Sequence, residues 1–382
     1  MLPFRKPLFW IHLVCGVVAG LVILMMSFTG VLLTYERQIV EAADRAGLHI
    51  EAEGRQPLGA DELLERASAQ SADAARITSL TISHAADEPV RLALGRSGTL
   101  LQHPFTGELL GAGSSATREF FAIVTAWHRW FAATGDSRTT ARAITGFCNL
   151  VFLFLVVSGI YLWVPRIWKW PAIRAVSLFN IRPPSAKARD YNWHHVMGIW
   201  MALPLLIIVA TAAVFSYPWA NDLLYKVAGE SPPAFGPRGP GGPPGTRSAN
   251  TSETATLPAI ALEPLLAQAR AHSPGWRSIS ITLPQPGAER VSFSIDLGNG
   301  GEPQKRHALD LSPTGEVLAW TPFQDRSTGQ RWRSYVRFLH TGEALGLTGQ
   351  TIAGLASLAA VLMVWTGLAL AYRRLLQPLF RR

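Results

Sequence analysis

Residues 7–35 read PLFWIHLVCGVVAGLVILMMSFTGVLLTY, 29 positions without one Asp, Glu, Lys or Arg. About 20 apolar residues suffice for a helix to cross a bilayer. Three more stretches are equally free of charge: Ala143–Pro165, Tyr191–Asn221 and Ala344–Tyr372. The reading is therefore a membrane α-helical protein with four transmembrane helices, over 7–35, 143–165, 191–221 and 344–372. Only 16% of the 382 residues are charged, which excludes a purely water-soluble globule. The first run follows Arg5 and Lys6 as a signal peptide would, but it is too long and lacks a small-residue cleavage site, so it reads as an uncleaved span.

The net charge of +9 separates by segment. Residues 1–6, 166–190 and 373–382 hold 12 basic residues against the single acid Asp190, leaving 23 basic and 25 acidic residues elsewhere. The positive-inside rule makes these three segments cytoplasmic, with both termini inside. The charge reports orientation rather than a nucleic-acid partner. Trp10, Trp163, Trp168, Trp170 and Trp193 gather at the inner boundary, and Trp127, Trp130 and Trp219 at the outer, as interfacial aromatics contacting lipid do. The two cysteines, Cys15 and Cys148, lie in different apolar runs and are not paired. No C-x-x-C-H or cysteine cluster is present, which excludes covalent haem and iron–sulfur sites.

The two outer segments resemble each other. Leu58–Ala72 and Ile260–His272 read as amphipathic helices. Alternating stretches follow, Arg76–Ser83 and Val90–Leu94 in the first segment, Ser278–Leu283 and Arg290–Leu297 in the second. Each closes on Thr-Gly-Glu, at Thr106 and Thr314, 208 residues apart. The chain thus reads as internally duplicated. An α+β domain over 36–116 precedes an interfacial helix over 117–142 carrying His128. A linker and second α+β domain over 222–330 precede an interfacial segment over 331–343 carrying His340. Residues 166–190 form a cytoplasmic basic loop and 373–382 a cytoplasmic tail. The Pro/Gly-rich stretch Ser231–Gly245 reads as a flexible insert.

Ten histidines occur. His49, His84, His103, His272 and His307 share no spacing and read as solvated surface side chains. His12 and His194 lie just inside two spans at the inner face, each in the pattern H-x-x-x-G with Gly16 and Gly198. Four residues is about one helical turn, so each glycine clears space beside its imidazole. His128 and His340 lie at the outer face. Singly, each is explained by helix packing or interfacial anchoring. Together they form one pair per face with one member from each half. The within-half separations are 116 and 146 residues, the second lengthened by about the insert.

Two pairs of imidazoles among glycine- and aromatic-rich helices describe two bis-histidine haem b sites, with His12 and His194 on one iron and His128 and His340 on the other. Zinc or copper would want more protein ligands at one point, whereas haem needs two axial ligands. His195 adjoins His194 and is the alternative inner ligand, although the H-x-x-x-G register favours His194.

With these motifs, the segments Trp127-His-Arg-Trp-Phe131 and Phe338-Leu-His-Thr-Gly342, and the pairs Thr29-Gly30, Ser158-Gly159 and Thr366-Gly367, the chain resembles the PepSY-associated transmembrane family, and within it ferrisiderophore reductases of the FoxB type. The resemblance covers essentially the whole length. It implies two periplasmic PepSY-like α+β domains, a cell inner-membrane location, and an oxidoreductase that reduces ferric siderophores in the periplasm. No Gly-rich nucleotide-binding sequence with strand–helix context occurs, so the expected electron donor is quinol or a separate reductase. The competing class is a non-redox scaffold or permease subunit; four spans are few for an independent transporter, and none carries a charge for a coupling ion. A di-haem cytochrome serving another periplasmic acceptor is a further alternative.

Overall fold

The computed structural model describes residues 4–95, 98–165, 168–233 and 260–381. The Pro/Gly-rich insert lies outside the described residues from position 234 onward. Described elements of the first half are α1 (Arg5–Leu33), α2 (Glu36–Arg45), α3 (Ala60–Gln70), β1 (Ser79–Ser83), β2 (Val90–Ala93), β3 (Thr99–Gln102), β4 (Leu109–Gly111), α4 (Ser115–Trp130) and α5 (Ser137–Trp163). There follow α6 (Trp170–Ser177), α7 (Ala186–Trp200), α8 (Ala202–Ser216), α9 (Pro218–Val227), α10 (Leu262–His272), β5 (Ser278–Thr282), β6 (Val291–Asp296), β7 (Arg306–Leu311), β8 (Val317–Thr321), α11 (Thr328–His340) and α12 (Gly346–Leu375). They fall into two compact units. One comprises Met1–Glu36, Phe120–Gly242 and Trp332–Arg382, the other Arg37–Glu119 and Pro243–Arg331.

In the first unit, three helical stretches are long and apolar enough to cross a membrane: Arg5–Arg45, Ser137–Trp163 and Glu343–Leu375. The pair α7–α8 meets the same standard only together, bent by 67°. The sequence reads 191–221 as one transmembrane helix, and here the structure differs. Pro204 has no N–H to offer the Trp200 carbonyl one turn earlier, and its ring crowds that oxygen, so the helix breaks at Met201. Pro218 then opens α9, ending the pair before the uncharged run is finished.

Helix α1 packs on α12 and α5, α12 on α7 and α8, and α5 on α8, closing a bundle. Small side chains let the helices approach: Ala19 and Cys148 in one cluster, Ala356 and Ala360 in another, with Phe152 packed against both. The outward faces are also apolar, with Val18 73%, Phe147 60%, Leu203 67% and Trp365 66% exposed. Helices hydrophobic on every side suit lipid rather than water. This is a mostly helical, multi-pass membrane protein.

The second unit corrects the expectation of two separate α+β domains. Each half gives four strands to one eight-stranded sheet of the described residues, ordered β4-β3-β2-β1-β5-β6-β7-β8 with every neighbouring pair antiparallel. The halves join at the β1–β5 seam, where Thr81 lies opposite Ser280 and donates to its hydroxyl at 3.0 Å. Alternation sends Leu80, Ile279, Ile281, Phe293 and Leu309 to one face, where they bury against Leu63 and Leu64 of α3 and Leu262 and Leu266 of α10. Each such side chain contributes about 1.5–3 kcal/mol on burial. The two helices cap each other. Asp61 accepts from the Leu262 and Glu263 N–H groups at 2.7 and 2.9 Å, and Glu263 accepts from the Ala60 N–H at 2.7 Å. Orphan donors at both helix starts are thereby satisfied with favourable charge. The Thr-Gly-Glu signals are the β3–β4 and β7–β8 turns, with Gly107 and Gly315 both left-handed at φ +69° and +89°.

Candidate functional site

A cavity of about 510 Å³ opens among α1, α5, α7, α8 and α12. Cofactor pockets span roughly 300–1,000 Å³. Its wall carries His12, His194 and His195, together with Gly16, Gly159, Gly198 and Gly367. Two of these glycines face the imidazoles: a Cβ on Gly159 would lie 3.6 Å from His12 Cε1, and one on Gly367 3.3 Å from His194 Cε1. Phe9, Phe152 and Trp163 supply aromatic wall, and Lys187 and Arg374 bring positive charge to it.

His128 of α4 and His340 of α11 form a second pair with ring centres 6.4 Å apart. An imidazole nitrogen lies about 2 Å from a metal it ligates, so two rings on opposite sides of one metal have centres roughly 6 Å apart. Phe215 stands edge-on to His340 at 5.7 Å, and a Cβ on Gly30 would lie 3.7 Å from His128 Cε1. The chain reverses directly after His340 because Gly342 is left-handed (φ +78°), and a side chain there would collide with the Gly349 backbone.

The hydrogen bonds on these four rings share one logic. His12 Nδ1 meets Ser158 Oγ at 2.8 Å, His128 Nδ1 meets Thr29 Oγ1 at 2.9 Å, and His194 Nδ1 meets Thr366 Oγ1 at 3.2 Å. His340 Nδ1 meets Thr211 Oγ1 at 3.3 Å. Each hydroxyl already donates its proton along its own helix: Ser158 to Leu155 O, Thr29 to Met25 O, Thr366 to Leu362 O and Thr211 to Ile207 O. The three threonine oxygens, whose own bonds are 2.6–2.8 Å long, therefore accept, and reading Ser158 in the same way puts the proton on Nδ1 of each histidine. His194 and His340 also donate to main-chain carbonyls, Met363 O at 3.1 Å and Ile208 O at 2.9 Å. In every case Nε2 is left as the lone-pair nitrogen, the arrangement a metal-ligating imidazole requires.

The pattern follows the internal repeat. Each histidine takes its hydroxyl from its own half, and Thr29 follows His12 by 17 residues as Thr211 follows His194. His195 has no such counterpart. Its Nδ1 donates within α7 to Tyr191 O at 2.9 Å, and its ring lies against Tyr191 at 4.0 Å, although it too lines the cavity. Sequence reasoning picked out three of the four hydroxyls through the Ser/Thr-Gly pairs. It missed Thr211, which is followed by Ala212; the 17-residue spacing was the available signal.

The other histidines are not uniformly solvated, as the sequence suggested. His103 is buried, and its Nδ1 accepts from the Phe105 and Thr106 N–H groups at 3.2 Å, closing the turn before Gly107. His307 Nδ1 is buried without a partner, its ring edge-on to Trp320 at 5.2 Å.

Among the described residues no three His, Cys, Asp or Glu side chains converge as a metal cluster. Each candidate site offers two nitrogens with aromatic and glycine walls, a donor set that fits an iron already held by a macrocycle. No curated protein matches the chain. A family model of the PepSY-associated TM region matches residues 9–374, a span that contains both histidine pairs and all four hydroxyls. On that near-complete match, the chain belongs to the PepSY-associated TM family.

Proposed function

We propose that the protein is a transmembrane electron conduit of the bacterial inner membrane, binding two haem b groups through His12 and His194 on the cytoplasmic side and His128 and His340 on the periplasmic side. The observation that carries this reading is the set of four imidazoles, two per site, each with its Nδ1 proton engaged and Nε2 left as a ligand. When bound, haem supplies reversible one-electron chemistry. The chain's own work is to orient the rings, keep the site dry with Phe152, Trp163 and Phe215, and hold Lys187 and Arg374 where carboxylates can meet them.

The proposed acceptor is a ferric siderophore in the periplasm. Hard oxygen ligands hold Fe(III) tightly and Fe(II) far more weakly, so one electron releases the metal. Arg129 and Arg337 lie on the helices that bear His128 and His340 and offer positive charge to an oxygen-rich chelate. Quinol or a separate reductase supplies the electron.

The test is direct. Purified protein should carry two haems per chain with a low-spin b-type spectrum. After dithionite reduction, anaerobic addition of ferric siderophore should reoxidise it and deliver Fe(II) to a ferrous-specific chelator, whereas NADPH should not reduce it. A colourless preparation from haem-replete cells ends the proposal and leaves a non-redox membrane scaffold. Haem that stays reduced with every ferric chelate leaves a di-haem cytochrome for another acceptor.

A further inference from the structure

Four arginines gather beside the outer histidine pair. Arg129 follows His128 directly on α4, and Arg337 lies about one turn before His340 on α11. The guanidinium carbons of Arg129 and Arg138 stand 4.9 and 4.0 Å from the centre of the Trp130 ring, within cation–π range. Arg142 follows Arg138 by about one turn of α5. Partial burial, and then the charges of Arg142, Arg138 and Arg337, hold the Arg129 guanidinium below its ordinary value, so the other three all bear on it. Among the described residues none of the four forms an ion pair; Glu36 senses the charge of Arg337 but makes no salt bridge with it.

All four side chains are exposed. Like charges held together without a counter-ion oppose folding, and arginines at an outer membrane boundary run against the positive-inside bias. Packing on Trp130 accounts for only two of them. The guanidinium fork matches carboxylates and other oxygen anions. Resting on the conduit reading above, we infer that Arg129, Arg138, Arg142 and Arg337 form the docking surface of the outer site and select ferric chelates of net negative charge. In the step itself one electron leaves the outer site and the chelate's Fe(III) becomes Fe(II). The arginines act on the approach, drawing the anion to the helices that carry His128 and His340.

The experiment uses one linear ferric trihydroxamate in three forms, its terminal amine free, acetylated or succinylated, so that overall charge changes from positive through neutral to negative while the iron coordination stays the same. Full-length, haem-loaded protein is reduced with dithionite, freed of the excess, and mixed with each form anaerobically in a stopped-flow instrument. At low salt the anionic form should reoxidise it about tenfold faster than the cationic one, and the gap should shrink as salt screens the charges. Arg138→Gln and Arg142→Gln should each lower the anionic-to-cationic rate ratio several-fold, and the double variant Arg138→Glu/Arg142→Glu should push it below one. Equal rates for all three forms, or a ratio that neither salt nor these variants change, overturn the inference and leave the conduit reading intact. The inference also falls if the variants lose haem or shift the outer site's midpoint potential while the ratio stays as in the wild type, because the cluster then serves the carboxylates of haem. Reduced protein that none of the three forms reoxidises overturns both.

Discussion

Thr29 stands 17 residues beyond His12 on α1, and the two side chains serve different sites: His12 lines the cavity while Thr29 accepts the Nδ1 proton of His128. At 1.5 Å per residue they are roughly 25 Å apart along the helix, most of the hydrocarbon thickness of a bilayer. A single straight helix therefore sets the spacing between the two histidine pairs. His194 and Thr211 repeat the interval on α7 and α8.

His128→Ala and His340→Ala should each remove about half of the bound haem, and His12→Ala and His194→Ala the other half, because an iron left with one axial ligand is weakly held. His195→Ala should retain both, since its ring is tied only within α7. Haem-to-protein ratios decide this. Half-loss in His195→Ala with full retention in His194→Ala would move the inner ligand by one residue.

Gly16 and Gly367 should respond differently to leucine. A Cβ on Gly367 would lie 3.3 Å from His194 Cε1, whereas one on Gly16 meets no protein atom within 4 Å. Gly367→Leu should lower both haem content and the melting temperature of haem-free protein. Gly16→Leu should lower haem content alone, because only a bound ligand needs that space. Normal haem loading in Gly16→Leu would argue against a ligand on that side of the cavity.

The mutual capping of α3 and α10 should be visible in stability. Asp61→Ala strips the carboxylate from two N–H groups of α10 and should cost about 1–2 kcal/mol. Glu263→Ala should cost a comparable amount through Ala60. Denaturant melts of the sheet unit, followed by Trp276 and Trp320 fluorescence in the full chain, provide the measurement. A change under a few tenths of a kcal/mol in both would show that solvent serves those N–H groups equally well.

Burial, and then the nearby Arg326, push His307 below its ordinary value, with Asp296 opposing. Its folded form therefore holds the proton less tightly than the unfolded chain does. The stabilisation is complete above an unfolded value of about 6.5 and is lost as pH falls from there through the folded value. Between about pH 7 and pH 5, the melting temperature of the wild type should fall more than that of His307→Gln. Parallel pH profiles for the two proteins would remove His307 from the account.

Much of the bundle was legible because lipid leaves a simple mark: Pro7–Tyr35, Ala143–Pro165 and Ala344–Tyr372 lack charge over a membrane's thickness, and each corresponds to a long helix. The bend in the third run was not, since hydropathy does not register a missing N–H; Pro204 was the overlooked sign. Alternating stretches at Arg76–Ser83 and Ser278–Leu283 announced strands, but their pairing across the chain follows from register and distance that no local pattern encodes. The histidines stood out because an imidazole at membrane depth is rare. Three of the hydroxyls stood out in Ser/Thr-Gly pairs, but nothing local tied them to the histidines, because a Ser or Thr within a span is ordinarily satisfied by its own helix.

The β1–β5 seam has a consequence for how such a chain can be divided. Either half alone would expose one of these strands as a raw edge, a template for another strand. It would also own one histidine of each pair. A half-length polypeptide is thus an unfinished object that completes itself only by finding a mate. Joining both mates in tandem turns an encounter between chains into closure within one. It also frees the copies to diverge, as Thr211-Ala212 has from Thr29-Gly30, because neither copy must any longer recognise its own likeness.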